Sequence, residues 1–193
     1  MKYNSIQESI NEIKSLIEKS IQIGGVEGKN NLIRSQVPIC LLHDAIKASF
    51  IEKGVDPQYI NPRYGSHTGE IKLAGFFKCK DQDICIMPND TSAKEETLTF
   101  DGILKGSKDL YGSDLTEKIL SVNVRSQLSS ISKNFDTLYE RTFAEALNLH
   151  LRCPKMVLGE FYMIPVYEYD DVLAKDKIVG FKKNGNIHKH IEK

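Results

Sequence analysis

Five residues pose the first chemical question: Asp83, Asn123, Arg125, Glu140 and Glu145. Asp83 opens the run DICIMP, which reads as one arm of a β-hairpin. Asn123 and Arg125 lie in ILSVNVR, residues 119–125, a compact β-branched run suited to a buried central strand. One residue separates them, so both side chains leave the same face. A polar pair in an otherwise apolar strand is unusual unless it lines a site. Glu140 and Glu145 follow in a helical stretch, with Asp136 on the face of Glu140. An acid on one strand, a cation on the next and an acid on an adjoining helix suit phosphodiester hydrolysis. Carboxylates give Mg²⁺ its hard oxygen ligands. The bound ion lowers the pKa of a water and neutralises phosphate charge, while a nearby cation stabilises the transition state. Surface acids and helix ion pairs produce the same letters.

A second placement competes. Glu70-Ile71-Lys72 is an acid-x-lysine string on an expected strand, with Asp56 upstream. Other chemistries lack their signatures. Ser126, Ser129 and Ser130 have no G-x-S-x-G elbow, and the chain has no glycine-rich phosphate loop. The four cysteines, Cys40, Cys79, Cys85 and Cys153, form no C-x-x-C pair and read as reduced core thiols. Cys79 and Cys85 are expected to flank a hairpin turn.

The elements that must position these residues follow from periodicity. Ile6, Ile10, Ile13, Leu16, Ile17 and Ile21 predict an amphipathic helix over 5–22, stopped at Gly24–Gly25. Residues 24–31 read as a loop. A second helix starts near Ser35 or Gln36, with Pro38 in its first turn and Gly54 at its end. Residues 55–68, with two prolines and a glycine, read as an irregular loop. Residues 69–87 predict a hairpin turning at Asp81–Gln82. A short strand is expected at Leu98–Phe100 and a loop at 106–114. Residues 134–151 predict a helix capped by Asn134 or Asp136, with Phe135, Leu138, Phe143, Leu147 and Leu151 on its apolar face. Residues 156–168 predict another strand, interrupted near Gly159 and Pro165. Strand, helix, strand makes a βαβ unit, so part of the sheet is parallel. Tyr139, Phe161, Tyr162, Tyr167 and Tyr169 read as core and sheet-face aromatics, and His188 and His190 as exposed tail residues.

The chain has 193 residues, enough for a sizeable core. Its 26 basic and 26 acidic residues cancel, which argues against loose electrostatic binding to nucleic acid but leaves room for a local basic lining. No run of about 18 apolar residues exists, and the N-terminus does not read as a signal peptide, so an intracellular, membrane-free protein is expected.

Two segments carry a resemblance. SVNVRSQLSSISKNFDTLYERTFAEALNLHLRCPKMVLGEFYMIPVYEYD, Ser121–Asp170, resembles a block of type II restriction endonucleases in the PD-(D/E)XK nuclease superfamily. KCKDQDI, Lys78–Ile84, is also similar, and together the segments cover under a third of the chain. The resemblance implies a restriction-endonuclease-like α/β fold, a mixed central sheet flanked by helices. N-terminal helices over 1–54, a possible dimerisation element, would precede a core over 55–193, the two forming one compact domain. The superfamily motif needs an acid on one strand, then acid, spacer and lysine on the next. Asp83 matches the first acid. Asn123-Val124-Arg125 stands at the second position and departs from it twice, since Asn is no ionised ligand and Arg no proton acceptor. Some members move the second carboxylate to the following helix, where Glu140 is the expected replacement and Glu145 the substitute. Asp83 and Glu140 would then hold Mg²⁺, Arg125 the phosphate and Asn123 a water or the metal. Arg63, Lys80, Ser126, Gln127 and Lys133 are the expected DNA contacts. The implied activity is site-specific cleavage of double-stranded DNA by a homodimer in prokaryotic cytoplasm, alongside a cognate DNA methyltransferase. The alternative is an inactive DNA- or protein-binding module on the same fold.

Overall fold

The computed structural model describes residues 3–185, apart from the side chains of Ser132 and Phe135. His188 and His190 lie outside the described residues. Helix α1, Ile6–Arg34, opens with a capping box: Ser5 Oγ accepts from the Glu8 amide, and the Glu8 carboxylate accepts from Ser5 N–H at 2.8 Å. Ile13, Ile17 and Ile21 form its buried stripe. The expected stop is present at Gly25, whose φ of +58° breaks the helix. The expected loop beyond it is not, because one left-handed residue suffices for the turn and VEGKNNLIR re-enters helix at once. Gly28 permits the sharp angle: a Cβ there would meet Ser20 O at 2.4 Å. Helix α2, Val37–Glu52, has Pro38 in its first turn and buries Leu42, Ala45 and Ile46. Gly54, with φ +94°, follows its end.

Eight strands follow: β1 Ile60–Asn61, β2 Ile71–Ala74, β3 Cys79–Gln82, β4 Ile84–Ile86, β5 Glu96–Thr97, β6 Lys108–Asp109, β7 Leu120–Ser126 and β8 Val157–Met163. The helices among and after them are α3 Ser113–Thr116, α4 Ile131–His150 and α5 Asp171–Lys175. The fold is α/β with a mixed central sheet ordered β1-β4-β7-β8. β4 runs antiparallel to β1 and β7. Val157 N–H donates to Ile119 O at one end of the β7–β8 pair, and Gln127 N–H donates to Met163 O at the other, so these strands run parallel with α4 as their crossover. Two-stranded pairs β2–β3 and β5–β6 complete the ladders.

Several expected boundaries shift. The hairpin turns at residues 75–78, not at Asp81–Gln82, because Gly75 N–H donates to Lys78 O and closes the turn there. Cys79 and Cys85 therefore stand on successive strands of one run rather than across a turn, and both are free thiols. β5 ends one residue before the strand expected at Leu98–Phe100. The expected loops contain short elements, β1 within 55–68 and β6 with the start of α3 within 106–114. β8 stops before Pro165, which has no N–H for a ladder. α4 begins three residues before Asn134, so neither expected cap stands at its start.

The chain divides into two compact units. Among the described residues the first runs over 3–49, 125–136 and 162–185, the second over 50–124 and 137–161. The expected boundary near residue 54 falls close to one of these cuts. The expected 55–193 core, however, yields residues 125–136 and 162–185 to the unit containing α1. In the first unit α1 packs against α5, and a Cβ at Gly25 would meet Ala174 O at 2.8 Å. No described helix is long and apolar enough to cross a membrane.

The second unit's core gathers Leu73 of β2, Cys85 of β4, Ile119, Leu149 of α4, Cys153 and Met156. Beside Leu149, the side of α4 turned toward this core carries polar groups. Glu145 pairs with Lys80. Asn148 Oδ1 accepts from the Phe77 and Lys78 amides at 2.8 and 3.1 Å, and its Nδ2 donates to Lys78 O. Beyond the helix, Arg152 donates to Ala74 O at 2.7 Å, to Glu96 at 2.6 Å and to Asp109 at 2.5 Å. The expected apolar face behaves differently: Phe143, Leu147 and Leu151 are exposed, as is Tyr139, while the Phe135 side chain lies outside the described set. Tyr162 and Tyr167 are exposed too, so the core role expected for the aromatics does not hold for these three tyrosines.

Two stability measurements follow. Gly25→Ala puts a side chain at positive φ and against Ala174 O, and should cost about 1–3 kcal/mol in urea denaturation. Gly24→Ala, with no heavy atom within 4 Å of its new Cβ, should instead be neutral or stabilising. Arg152→Met leaves the Asp109 carboxylate, 1% exposed, without its cation and should cost about 3–5 kcal/mol by the same assay.

Candidate active site

Asp83 stands alone between two strands. β3 and β4 are one run of chain broken at this residue: the first half pairs with β2, the second with β1 and β7. A break that re-aims one side chain is the local device expected beside a site. Extending the β2–β3 register one step beyond Ile71↔Gln82 sets Glu70 opposite Asp83. Extending the β4–β7 register one step beyond Ile84↔Val122 sets Asn123 opposite Asp83. Asp83 Oδ2 accepts from Val124 N–H at 2.7 Å, so a carboxylate closes the end of that ladder. Asn123 Nδ2 donates to Glu160 Oε1 of β8 at 2.9 Å. The extended registers thus put Glu70, Asp83 and Asn123 in one row, and the Asn123–Glu160 hydrogen bond adds Glu160 at its end.

Electrostatics mark the same place. The Glu70 pKa is raised by partial burial first, then by the carboxylates of Asp83 and Asp81. Asp81 has a partner in Lys72, 3.9 Å away across the hairpin. Among the described residues no cation pairs with Glu70 or Asp83. Beneath the row, Ser121 Oγ donates to Gln82 Oε1 at 2.9 Å, and both residues are buried. The Cys85 thiol is pushed up to about 12 and that of Cys153 to about 11, in both cases chiefly by burial. Neither is a thiolate at neutral pH, so nucleophilic thiol chemistry finds no support here.

The structure therefore unites the two competing placements. Asp83 and Asn123 of one and Glu70 of the other fall in a single row. Lys72 is engaged with Asp81 and exposed. Glu140 is exposed and makes no polar contact among the described residues. It sits about 140° around α4 from Glu145, the residue that meets β3 through Lys80. Glu145 is thereby the glutamate of α4 nearer the hairpin, and it already has a cation. Arg125 leaves the same face of β7 as Asn123 and belongs to the first unit, where its charge acts on the Tyr162 hydroxyl. Of the expected DNA contacts, Arg63 is exposed after β1 and Lys80 is held by Glu145. Ser126 ends β7, Gln127 binds the backbone of Met163 and Ser129, and Lys133 is exposed in the first turn of α4.

Sequence reasoning missed Glu160. Its signal was available: it is the one acid in the apolar run MVLGEFYMIPV. Among the described residues no three His, Cys, Asp or Glu side chains converge as a ready-made metal cluster. The donors of the row are nonetheless hard oxygens, and Mg²⁺ commonly takes only one or two carboxylates, leaving its other positions to water and phosphate. No protein-family model, curated protein or solved structure matches the chain.

The raised Glu70 pKa has a definite consequence for stability. A carboxyl held above its ordinary 4.5 binds more protons folded than unfolded, so stability falls as pH rises from about that value through the folded pKa. Glu70→Gln should thus be more stable than the native chain at pH 7, and the gain should shrink toward pH 4. Urea denaturation at both pH values tests this; a pH-independent difference would refute the like-charge account.

Proposed function

We propose that the protein is a metal-dependent endonuclease that cuts double-stranded DNA at specific sites, on a restriction-endonuclease-like fold. The observation that carries this reading is the row Glu70–Asp83–Asn123–Glu160, built where one strand run changes partners. The order of β4, β7, α4 and β8 in a mixed sheet supports the same reading, as does the resemblance of Lys78–Ile84 and Ser121–Asp170 to type II enzymes.

Asp83 and Glu70 fit a Mg²⁺ ion: burial first, and then the charges of Asp83 and Asp81, raise the Glu70 pKa, and a cation would favour its ionised form. When bound, the ion would lower the pKa of a water and neutralise phosphate charge. The chain's own groups do the positioning. Val124 N–H fixes one oxygen of Asp83 and leaves the other to the site. Glu160 fixes the Asn123 amide, whose carbonyl oxygen can accept from and orient a water. The role expected of Arg125, a permanent charge on a phosphate oxygen, belongs to the same proposal. In this assignment Glu70 supplies what Glu140 was expected to supply. A homodimer suits palindromic DNA, and a cognate methyltransferase in a prokaryotic cytoplasm belongs to the same proposal.

One observation favours a second reading, a non-catalytic binding module. Asn123 and Arg125 replace the acid and lysine of the motif, and no three-ligand cluster exists among the described residues. Digestion of plasmid and phage DNA with and without Mg²⁺ separates the two. The enzyme gives discrete fragments that EDTA abolishes. Asp83→Ala and Glu70→Gln should each lower the rate by about two orders of magnitude or more, while Glu140→Ala leaves it near native. Loss in Glu140→Ala with Glu70→Gln unaffected would return the second ligand to α4. No cleavage of varied DNA by the folded full chain would favour the binding module.

A further inference from the structure

The first unit holds a polar cavity of about 400 Å³, which shares only Lys133 with the contacts expected of the nuclease reading. It is bounded by the last turns of α1, the segment 128–130, the first turn of α4 and residues 168–182. Four cations line it, Lys29, Arg34, Lys133 and Lys182, against two acids, Glu168 and Asp171. Both acids are already neutralised. Lys29, its side chain 7% exposed, pairs with Asp171, and Lys182 pairs with Glu168 at 2.5 Å. Arg34 and Lys133 have no polar partner among the described residues. The lining therefore carries an excess of two positive charges, in a chain whose total is zero. The hydroxyls of Ser129 and Ser130 add donors on the same wall.

Two unpaired cations at one concavity repel each other, and nothing in the cavity offsets them. An oxyanion with several acceptor oxygens does so while taking bidentate contact from the Arg34 guanidinium. Among the described residues the two carboxylates that line the cavity are engaged with Lys29 and Lys182. We propose that this cavity is a phosphate site, taking the phosphate group of a nucleic-acid backbone or of a free phosphate ester. Arg34 provides the planar fork, Lys133 the second charge, and the Lys29–Asp171 and Lys182–Glu168 pairs hold the walls. The proposal does not rest on the nuclease reading: Lys133 is also one of that reading's expected DNA contacts, but none of these residues belongs to the row at Asp83.

The test is calorimetric titration of the full chain with inorganic phosphate at low ionic strength. Saturable one-to-one binding is expected. Arg34→Ala with Lys133→Ala should weaken it by roughly tenfold or more, the loss of two charge-assisted contacts. Lys155→Ala, an exposed cation elsewhere, should leave it unchanged. Both substituted side chains are exposed, so the double variant should keep its native thermal melt; Lys133→Gln alone serves if it does not. Failure of the native chain to bind phosphate, native affinity in the double variant, or equal loss in Lys155→Ala would overturn the site. The source of the phosphate is read with a short DNA duplex. A lower duplex affinity and shallower salt dependence in the double variant identify a backbone phosphate. Unchanged duplex affinity with lost phosphate binding identifies a free ester.

Discussion

The second unit depends on one buried cation. Arg152 reaches the last residue of β2 through Ala74 O, β5 through Glu96 and β6 through Asp109. These three strands belong to two separate ladders, and no backbone hydrogen-bond register joins them to the central sheet. A guanidinium has enough donors in a fixed plane to satisfy a carbonyl and two carboxylates together, which an ammonium cannot do with the same geometry. Asn148, one turn earlier on α4, grips the hairpin turn at residues 76–78 from its other end. The hairpin is thus held by side chains of the crossover helix and of Arg152 just beyond it, and its position follows from theirs.

That constraint explains why Asp83 can stand where it does. A strand run that left one ladder for another without support would slip in register, because short pairs specify register weakly. Here the β2–β3 half is clamped by Asn148, Arg152 and the Lys80–Glu145 pair, and the β4 half by β1 and β7. The residue at the break is then fixed from both sides. Its carboxylate finds a backbone amide on β7 and leaves the acids Glu70 and Glu160 on the flanks of the row. The Glu70 pKa is raised by burial first and then by the charges of Asp83 and Asp81, the kind of shift that marks a candidate site.

Much of this was legible in the sequence, and the misses share a cause. The βαβ unit, the central strand at 119–125 and the break of α1 at Gly25 announced themselves through period and glycine chemistry. Asp83 and Asn123 were legible as candidates because polar residues in apolar strands stand out. The face of α4 was not. Its apolar spacing, Phe143, Leu147 and Leu151, pointed to a buried stripe, yet Glu145 and Asn148 turn inward because each has a specific partner on the hairpin. Periodicity reports what a helix would bury in the absence of such partners; it cannot report pairings made across 65 or more residues of chain. Spacing from Arg125 likewise says how far the chain can reach but not which side of the helix arrives, and Glu140 lies exposed. Glu70 and Asp83 looked like rivals because the hairpin turn was placed too late, at 81–82, and moving it to residues 75–78 sets them opposite each other in the extended register.

Net charge was the least informative signal, and the reason is physical. The formal total of zero counts every lysine equally. In the structure Lys29, Lys80, Lys105, Lys108 and Lys182 are each spent on a carboxylate of the chain. What can act on a ligand is the remainder after pairing, and that remainder is not spread evenly. In the first unit it is positive, Arg34 and Lys133 beside a cavity whose acids are occupied. In the second it is negative, Glu70 and Asp83 without a cation. A neutral chain can therefore carry an anion-seeking lining and a cation-seeking row at once, each set by local pairing and neither visible in the sum.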